Sequence, residues 1–184
     1  MTDETQELVR RRTASWVERV VIGLNLCPFA KAVQVKGLVR CAVSEAETTQ
    51  ALLTDLRREL LALVAAPTSE VDTTLLIHPR VLRDFADYND FLAEADALLV
   101  ELELEGELQI ASFHPDYCFA DAAGSDPANY TNRSPYPMLH LLREASVSRA
   151  IDGFPDPDRI YERNIATLRG LSTSGIERLL ADDD

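Results

Sequence analysis

Apolar residues recur along the chain with two different periods, one typical of buried strands and one typical of helices. Short apolar segments rich in β-branched residues predict strands at residues 38–44, 73–78 and 108–114. Longer segments with apolar residues at helical spacing predict helices at residues 4–22, 45–66 and 81–104. The helical stripe is most regular in the second helix, where it consists of Leu52, Leu53, Leu56, Leu60 and Leu63.

The order of these elements predicts the fold class. Strands that alternate with helices, joined by connections long enough for crossovers, indicate a largely parallel sheet of about three strands covered by helices. Further helices are predicted at residues 135–148 and 158–171, with the proline-rich turn DGFPDPD between them. Because no repeat or long linker divides the chain, residues 1–184 are expected to form a single α/β domain with frayed ends.

Composition narrows the classes of function. The chain has 184 residues, a net charge of −13 and an isoelectric point near 4.6, so we expect neither general nucleic-acid binding nor an anionic membrane partner. The absence of a long apolar run or signal-peptide pattern predicts a cytoplasmic protein. Cys27, Cys41 and Cys118 lack the spacing of a disulfide framework or a cysteine zinc knuckle.

Two histidines follow predicted strands directly and are themselves followed by proline. They are His78 in LLIHP and His114 in ASFHP. Ligands of open parallel sheets bind at the carboxyl edge, so both side chains are expected there. A bond to a backbone carbonyl would instead make each histidine structural. His114 leads into Asp116, and this pair is our candidate for acid–base catalysis.

The predicted helix at 135–148 carries the third histidine. Ser134 suits its N-cap, and helical geometry places His140 and Arg143 opposite the apolar stripe. These two side chains would face either solvent or a cleft, with His140 as a second acid–base group. Asn129, Asn132 and Arg133 precede the helix start, and with Ser134 and Arg143 they form a candidate anion site. Turn formation is the alternative role for the asparagines.

Cys27-Pro28 is a weaker candidate site. A cysteine at a helix N-cap has a lowered thiol pKa, so Cys27 is a possible nucleophile. Burial as a structural residue is the more common fate of a free cysteine.

Several segments resemble a bacterial family classified as a domain of unknown function, number fourteen-fifteen. The similar segments, within roughly residues 15–171, are WVERVVIGLNLCPFAKAV, TTLLIHP, FADYNDFL, GELQIASFHPDY and DPANYTNRSPYPMLHLLREAS. The resemblance implies a family but no established activity. The family pattern has glutamine in place of Cys118, so the resemblance does not support a role for this thiol.

Three functions remain open at this point. The first is an enzyme that acts on a small anionic metabolite, with His114, Asp116 and His140 as acid–base groups. The second is a metal-dependent enzyme that uses His78, His114 and His140. The third is a binding or scaffold protein with a self-association surface of Tyr117, Tyr130 and Tyr136. The chain has no P-loop, dinucleotide glycine fingerprint or nucleophile elbow, so no motif supports a nucleotide-binding or serine-hydrolase assignment, and the sequence leaves the cofactor unknown.

Overall fold

The computed structural model describes residues 1–152, 159–171 and 173–180. The chain begins with helix α1, Asp3–Trp16, whose first turn is capped by the Thr2 hydroxyl accepting from the amide of Thr5 at 3.3 Å. The helix continues directly into a π-helical turn, Val17–Ile22, that ends at Gly23. The predicted helix at 4–22 is therefore confirmed, with a widened last turn.

The six elements that follow include the three predicted strands and two of the predicted helices. A short helix α2, Ala30–Val35, comes first. The others are β1 (Val39–Val43), α3 (Thr49–Ala65), β2 (Thr73–Ile77), α4 (Phe85–Glu101) and β3 (Leu108–Phe113). Thr48 and Asp84 cap α3 and α4 with their side-chain oxygens, which explains why both helices begin a few residues after the apolar pattern does.

The predicted helix at residues 135–148 is wrong. Met138–Arg143 forms a fourth strand, β4, and helix α5 begins only at Glu144 and extends to Asp152. A short apolar run such as MLHLLR fits either a helix or a strand that is buried on both faces. Tertiary pairing decides the outcome, because β4 lies between β2 and β3 and binds to both. Ser134 consequently caps no helix.

The sheet is mixed, which corrects the prediction of a largely parallel three-stranded sheet. Its strand order is β1-β2-β4-β3, with β1 and β2 parallel and β4 antiparallel to both of its neighbours. Met138 pairs with both Ile77 and Phe113. The carboxyl ends of β2 and β3 therefore lie at the same edge of the sheet, as predicted, with β4 between the two strands.

Two apolar clusters cover the two faces of the sheet. Strand residues Leu76, Leu139 and Leu141 pack against α3 and α4 on one face. Strand residues Leu75, Ile77 and Met138 pack against α1, the π-helical turn and the C-terminal helices on the other. Alternation along each strand explains the division, because successive side chains point to opposite faces. We call these the α4 face and the α1 face.

The C-terminal part comprises helix α6, Arg159–Arg169, and helix α7, Thr173–Leu180. Helix α6 agrees with the prediction for residues 158–171, whereas α7 was not predicted. The proline-rich turn, beyond Asp152, and the tail at residues 181–184 lie outside the described residues. Within the described part of the chain, no helix combines the length and apolarity that a membrane span requires.

Candidate functional site

The segment between β3 and β4 is an ordered connection held by its own polar side chains. Asn129 is buried; its Oδ1 accepts from the amide of Phe119 at 3.0 Å, and its Nδ2 donates to the carbonyl oxygens of Ala123 at 2.8 Å and Gly124 at 3.4 Å. Asn132 Nδ2 donates to the Ser112 carbonyl at 3.0 Å. Both asparagines therefore stabilise the backbone of the connection.

Arg133 has a similar role. Its Nε donates to the carbonyl of Tyr117 at 3.1 Å, its Nη2 donates to that of Gly124 at 2.9 Å, and its guanidinium lies 4.6 Å from the centre of the Tyr130 ring. Ser134 is buried, and its hydroxyl donates to the Tyr136 carbonyl at 2.7 Å. These contacts hold the connection around Arg133 and engage two of the arginine's donor groups with backbone carbonyls.

Arg143 lies apart from this group, at the end of β4. Its Nη2 donates to the carbonyl oxygens of Leu63, Ala66 and Val71, the second at 2.7 Å. Leu63 and Ala66 are at the end of α3, where carbonyl groups lack helical partners. A positive charge at the carboxyl end of a helix also interacts favourably with the helix dipole. Arg143 therefore caps α3 and does not join Arg133 in one anion site.

His114 is buried and satisfied at both ring nitrogens. Its Nδ1 accepts from the amide of Asp116 at 3.0 Å, and its Nε2 lies 3.2 Å from the carbonyl oxygen of Leu82, to which it donates. Desolvation lowers the pKa of His114, partly opposed by the Leu82 carbonyl and the Asp116 charge. The hydrogen bond between Asp116 and His114 uses the backbone amide of Asp116, which is an exposed residue.

His78 is fully buried beside the same aromatic ring as His114. The two imidazoles lie 5.8 Å and 5.1 Å, centre to centre, from the ring of Tyr88. His78 Nδ1 lies 3.1 Å from the Val81 carbonyl, and desolvation lowers the pKa of His78 to about 4. The two histidines therefore bind consecutive carbonyls of the turn before α4, of which Leu82 has the left-handed φ of 56°. They fix this turn in place.

The three histidines do not converge. Because β-strand side chains alternate, His140 lies with Met138 on the α1 face, whereas His78 and His114 contact Tyr88 on the α4 face. Among the residues that the structure describes, no group of three histidine, cysteine, aspartate or glutamate side chains is arranged to hold a metal ion. The arrangement thus gives no support to a site that uses all three.

In His140 one ring nitrogen is oriented by a side-chain hydroxyl and the other has no partner; in His78 the oriented nitrogen faces a backbone carbonyl, and its buried Nε2 also has no partner. Its Nε2 lies 2.7 Å from Thr73 Oγ1, and the same hydroxyl oxygen lies 2.6 Å from the carbonyl oxygen of Leu141. The carbonyl can only accept, so the hydroxyl proton points to Leu141 and Thr73 Oγ1 accepts from His140 Nε2–H. Among the described residues, Nδ1 has no hydrogen-bond partner and keeps its lone pair. Desolvation lowers the pKa of His140 to about 4.

On the α1 face an aromatic ring lies beside this imidazole, and Trp16 packs against that ring. The ring of Phe113 lies 6.1 Å from that of His140, and Trp16 packs edge-on against Phe113 at 5.4 Å. Arg12, one helical turn before Trp16, donates through Nη1 to the Tyr136 hydroxyl at 3.4 Å. His140 retains some exposed surface, and its neighbour across the sheet is the small residue Ala111. Sequence reasoning missed Thr73 and Arg12, since their relevance depends on distant pairing.

The remaining candidates lie elsewhere. Cys27 is partly exposed in the turn after the π-helical segment, and the N-cap of α2 is Phe29, so the predicted cysteine N-cap is wrong. The tyrosines expected on a self-association surface pack within the chain. Tyr117 contacts Phe85 and Phe119, while Tyr130 and Tyr136 pack against the apolar cluster on the α1 face.

Comparison with known proteins gives one match. The sequence profile of a family described as a protein of unknown function (DUF1415) matches residues 8–178. No curated protein and no solved structure matches the chain.

Proposed function

The chain belongs to the DUF1415 family of proteins of unknown function, and from the geometry of its own residues we propose that it is an enzyme in which His140 accepts a proton from a small anionic substrate. One observation carries the proposal. The Thr73 hydroxyl orients His140 Nε2 and leaves the Nδ1 lone pair without a partner. An imidazole fixed in one tautomer by a neighbouring acceptor is the usual arrangement of a histidine that transfers protons.

The lowered pKa of His140 fits this role in the unliganded protein. A pKa of about 4 keeps the ring neutral at physiological pH, so Nδ1 is always ready to accept a proton. A base with this pKa is weak, however, and a nearby negative charge would strengthen it by favouring the imidazolium. An anionic substrate would therefore raise the basicity of the group that acts on it.

Positive charge on the same side of the sheet supports an anionic substrate. Arg12 and Trp16 lie one turn apart on the same face of α1. Trp16 contacts the ring of Phe113, and Phe113 packs against His140. The protein as a whole carries a net charge of −13, so an anion would be repelled without such a local cation. In this proposal Tyr136 positions the guanidinium through its hydroxyl group.

The residues predicted from sequence enter the proposal in other roles. His114, Asn129, Asn132, Arg133 and Ser134 position the connection between β3 and β4, because their hydrogen bonds go mainly to backbone groups. Arg143 and Asp116 also have structural roles. Arg143 caps a helix, and the backbone amide of Asp116 donates to His114. None of them is assigned a proton-transfer step.

A two-stage experiment tests the proposal. Purified protein is first screened by thermal shift against small carboxylates and phosphate esters, and each stabilising compound is then followed by proton NMR for turnover. The His140→Gln variant keeps a donor toward Thr73 but has no basic nitrogen, so we expect it to bind the same compounds and to lose turnover by at least about a hundredfold. Asp116→Asn should retain turnover.

The opposite pattern would overturn the assignment. Turnover that survives in His140→Gln and disappears in Asp116→Asn would return the acid–base role to the His114–Asp116 pair. Far-UV circular dichroism and urea unfolding at neutral pH establish that both variants are folded before activities are compared.

A further inference from the structure

A polar cavity of about 540 Å³ lies at the opposite end of the sheet from the histidine edge. Three segments form it: the turn after α2, the loop before β2, and helix α5. Its lining residues are Lys36, Leu38, Thr68, Ser69, Asp72 and Arg149. We propose that this cavity binds the phosphate monoester of a small polyhydroxylated molecule, independently of the proton-transfer site at His140.

Charge is the first argument. The cavity contains two cations and one carboxylate, a local excess of positive charge in a protein whose net charge is −13. Among the described residues, the ammonium group of Lys36 has neither an ion pair nor a hydrogen bond. Cations that an acidic protein leaves unneutralised within one concavity favour an anionic ligand.

A short hydrogen-bond chain orients the second cation. Arg149 Nη2 donates to Ser146 Oγ at 2.9 Å, and Ser146 Oγ donates its proton to Asp72 Oδ1 at 2.6 Å. Arg149 is thereby linked to the cavity wall while the rest of its guanidinium fork stays available, which suits bidentate binding of phosphate oxygens. The chain leaves Asp72 Oδ2 as an acceptor.

The cavity wall is also fixed in position. The amide of Asp72 donates to the Leu38 carbonyl at 2.9 Å, and the amides of Glu70 and Val71 donate to Pro67 at 2.9 Å and 3.0 Å. Arg143 binds the carbonyls of Ala66 and Val71, which flank the loop. A loop fixed at both ends loses little conformational entropy when a ligand binds.

The available donors and acceptors define the ligand class. Thr68 and Ser69 offer hydroxyl donors that have no side-chain partner among the described residues, so two hydroxyls and two cations can share the oxygens of one phosphate. Asp72 Oδ2 would repel a second anion but accept from hydroxyl groups. A phosphate attached to a polyol satisfies both requirements.

Isothermal titration calorimetry with inorganic phosphate, glycerol phosphate and glycerol tests this inference. We expect saturable binding of both phosphates, tighter for glycerol phosphate, and none of glycerol. Lys36→Gln and Arg149→Gln should each raise the Kd for both phosphates by about tenfold or more. Asp72→Asn should remove the preference for glycerol phosphate over inorganic phosphate.

Arg57→Gln is the matched control, because Arg57 is a surface cation paired with Glu101 and lies outside the cavity. Its Kd for phosphate should equal that of the unchanged protein. The inference is wrong if no phosphate binds saturably, or if the double variant at Lys36 and Arg149 binds as tightly as the Arg57 control.

Discussion

Acidification should destabilise the protein through its buried histidines, and His140 allows the contribution of one ring to be measured. The ordinary histidine pKa is 6.5, whereas burial lowers that of His140 to about 4 in the folded chain. Between these values the unfolded chain binds a proton and the folded chain does not. The free energy of unfolding is therefore not reduced by His140 above about pH 6.5, and it decreases through this ring as the pH falls toward 4.

The size of the effect follows from the two pKa values. Lowering the pH from about 7 to about 5 should reduce the free energy of unfolding by about 1.8 kcal/mol through His140 alone. His78, whose pKa burial also lowers to about 4, should contribute a similar loss. Together the two rings account for about 3.6 kcal/mol, a large part of the stability of an ordinary domain.

Urea unfolding of the unchanged protein and of His140→Gln at both pH values isolates the effect. Glutamine keeps a donor for Thr73 but does not titrate, and every other group contributes equally to both proteins. The loss of stability on acidification should be smaller in the variant by about 1.8 kcal/mol. Equal losses in the two proteins would refute the desolvated, neutral state of His140.

Three other substitutions test individual contacts. Thr73→Val should release the tautomer of His140, which nitrogen-detected NMR of the imidazole would report as a mixture of Nδ1–H and Nε2–H forms; an unchanged single tautomer would contradict the orienting role. Asn129→Ala removes three hydrogen bonds from a buried side chain to the backbone of the connection. Urea unfolding should show a loss of about 2–4 kcal/mol, and a loss of less than about 1 kcal/mol would contradict the role of Asn129. Arg143→Met should lower the free energy of unfolding by about 2–3 kcal/mol. Amide hydrogen exchange should increase at the end of α3 and stay unchanged in α4.

Much of the fold could be predicted because local patterns and tertiary structure agree. Strands β1 to β3 and helices α3 and α4 have the length and periodicity of their class, and polar caps define the helix starts. Strand β4 could not be predicted in this way. Its apolar run also fits a helix, and only its partners on β2 and β3, distant in sequence, select the extended form.

The candidate site was less predictable than the fold. The two histidines at the sheet edge follow from the strand pattern, yet their hydrogen-bond partners Val81 and Leu82 are main-chain carbonyls that no side-chain motif encodes. Arg143 illustrates the same limit, since it binds Leu63, which is 80 positions earlier in the chain. The residue types at these positions suggested ligand binding or catalysis, whereas in the structure most of these side chains form hydrogen bonds to backbone groups.

The central position of β4 has a consequence for biosynthesis. A ribosome completes β2 and β3 well before it reaches Met138–Arg143, so the nascent chain carries two apolar strands whose inner edges lack a partner. Unpaired strand edges are templates for intermolecular association. Translation that stops between β3 and β4 should therefore give products prone to aggregation, and chaperone capture should be most important during the interval before β4 emerges.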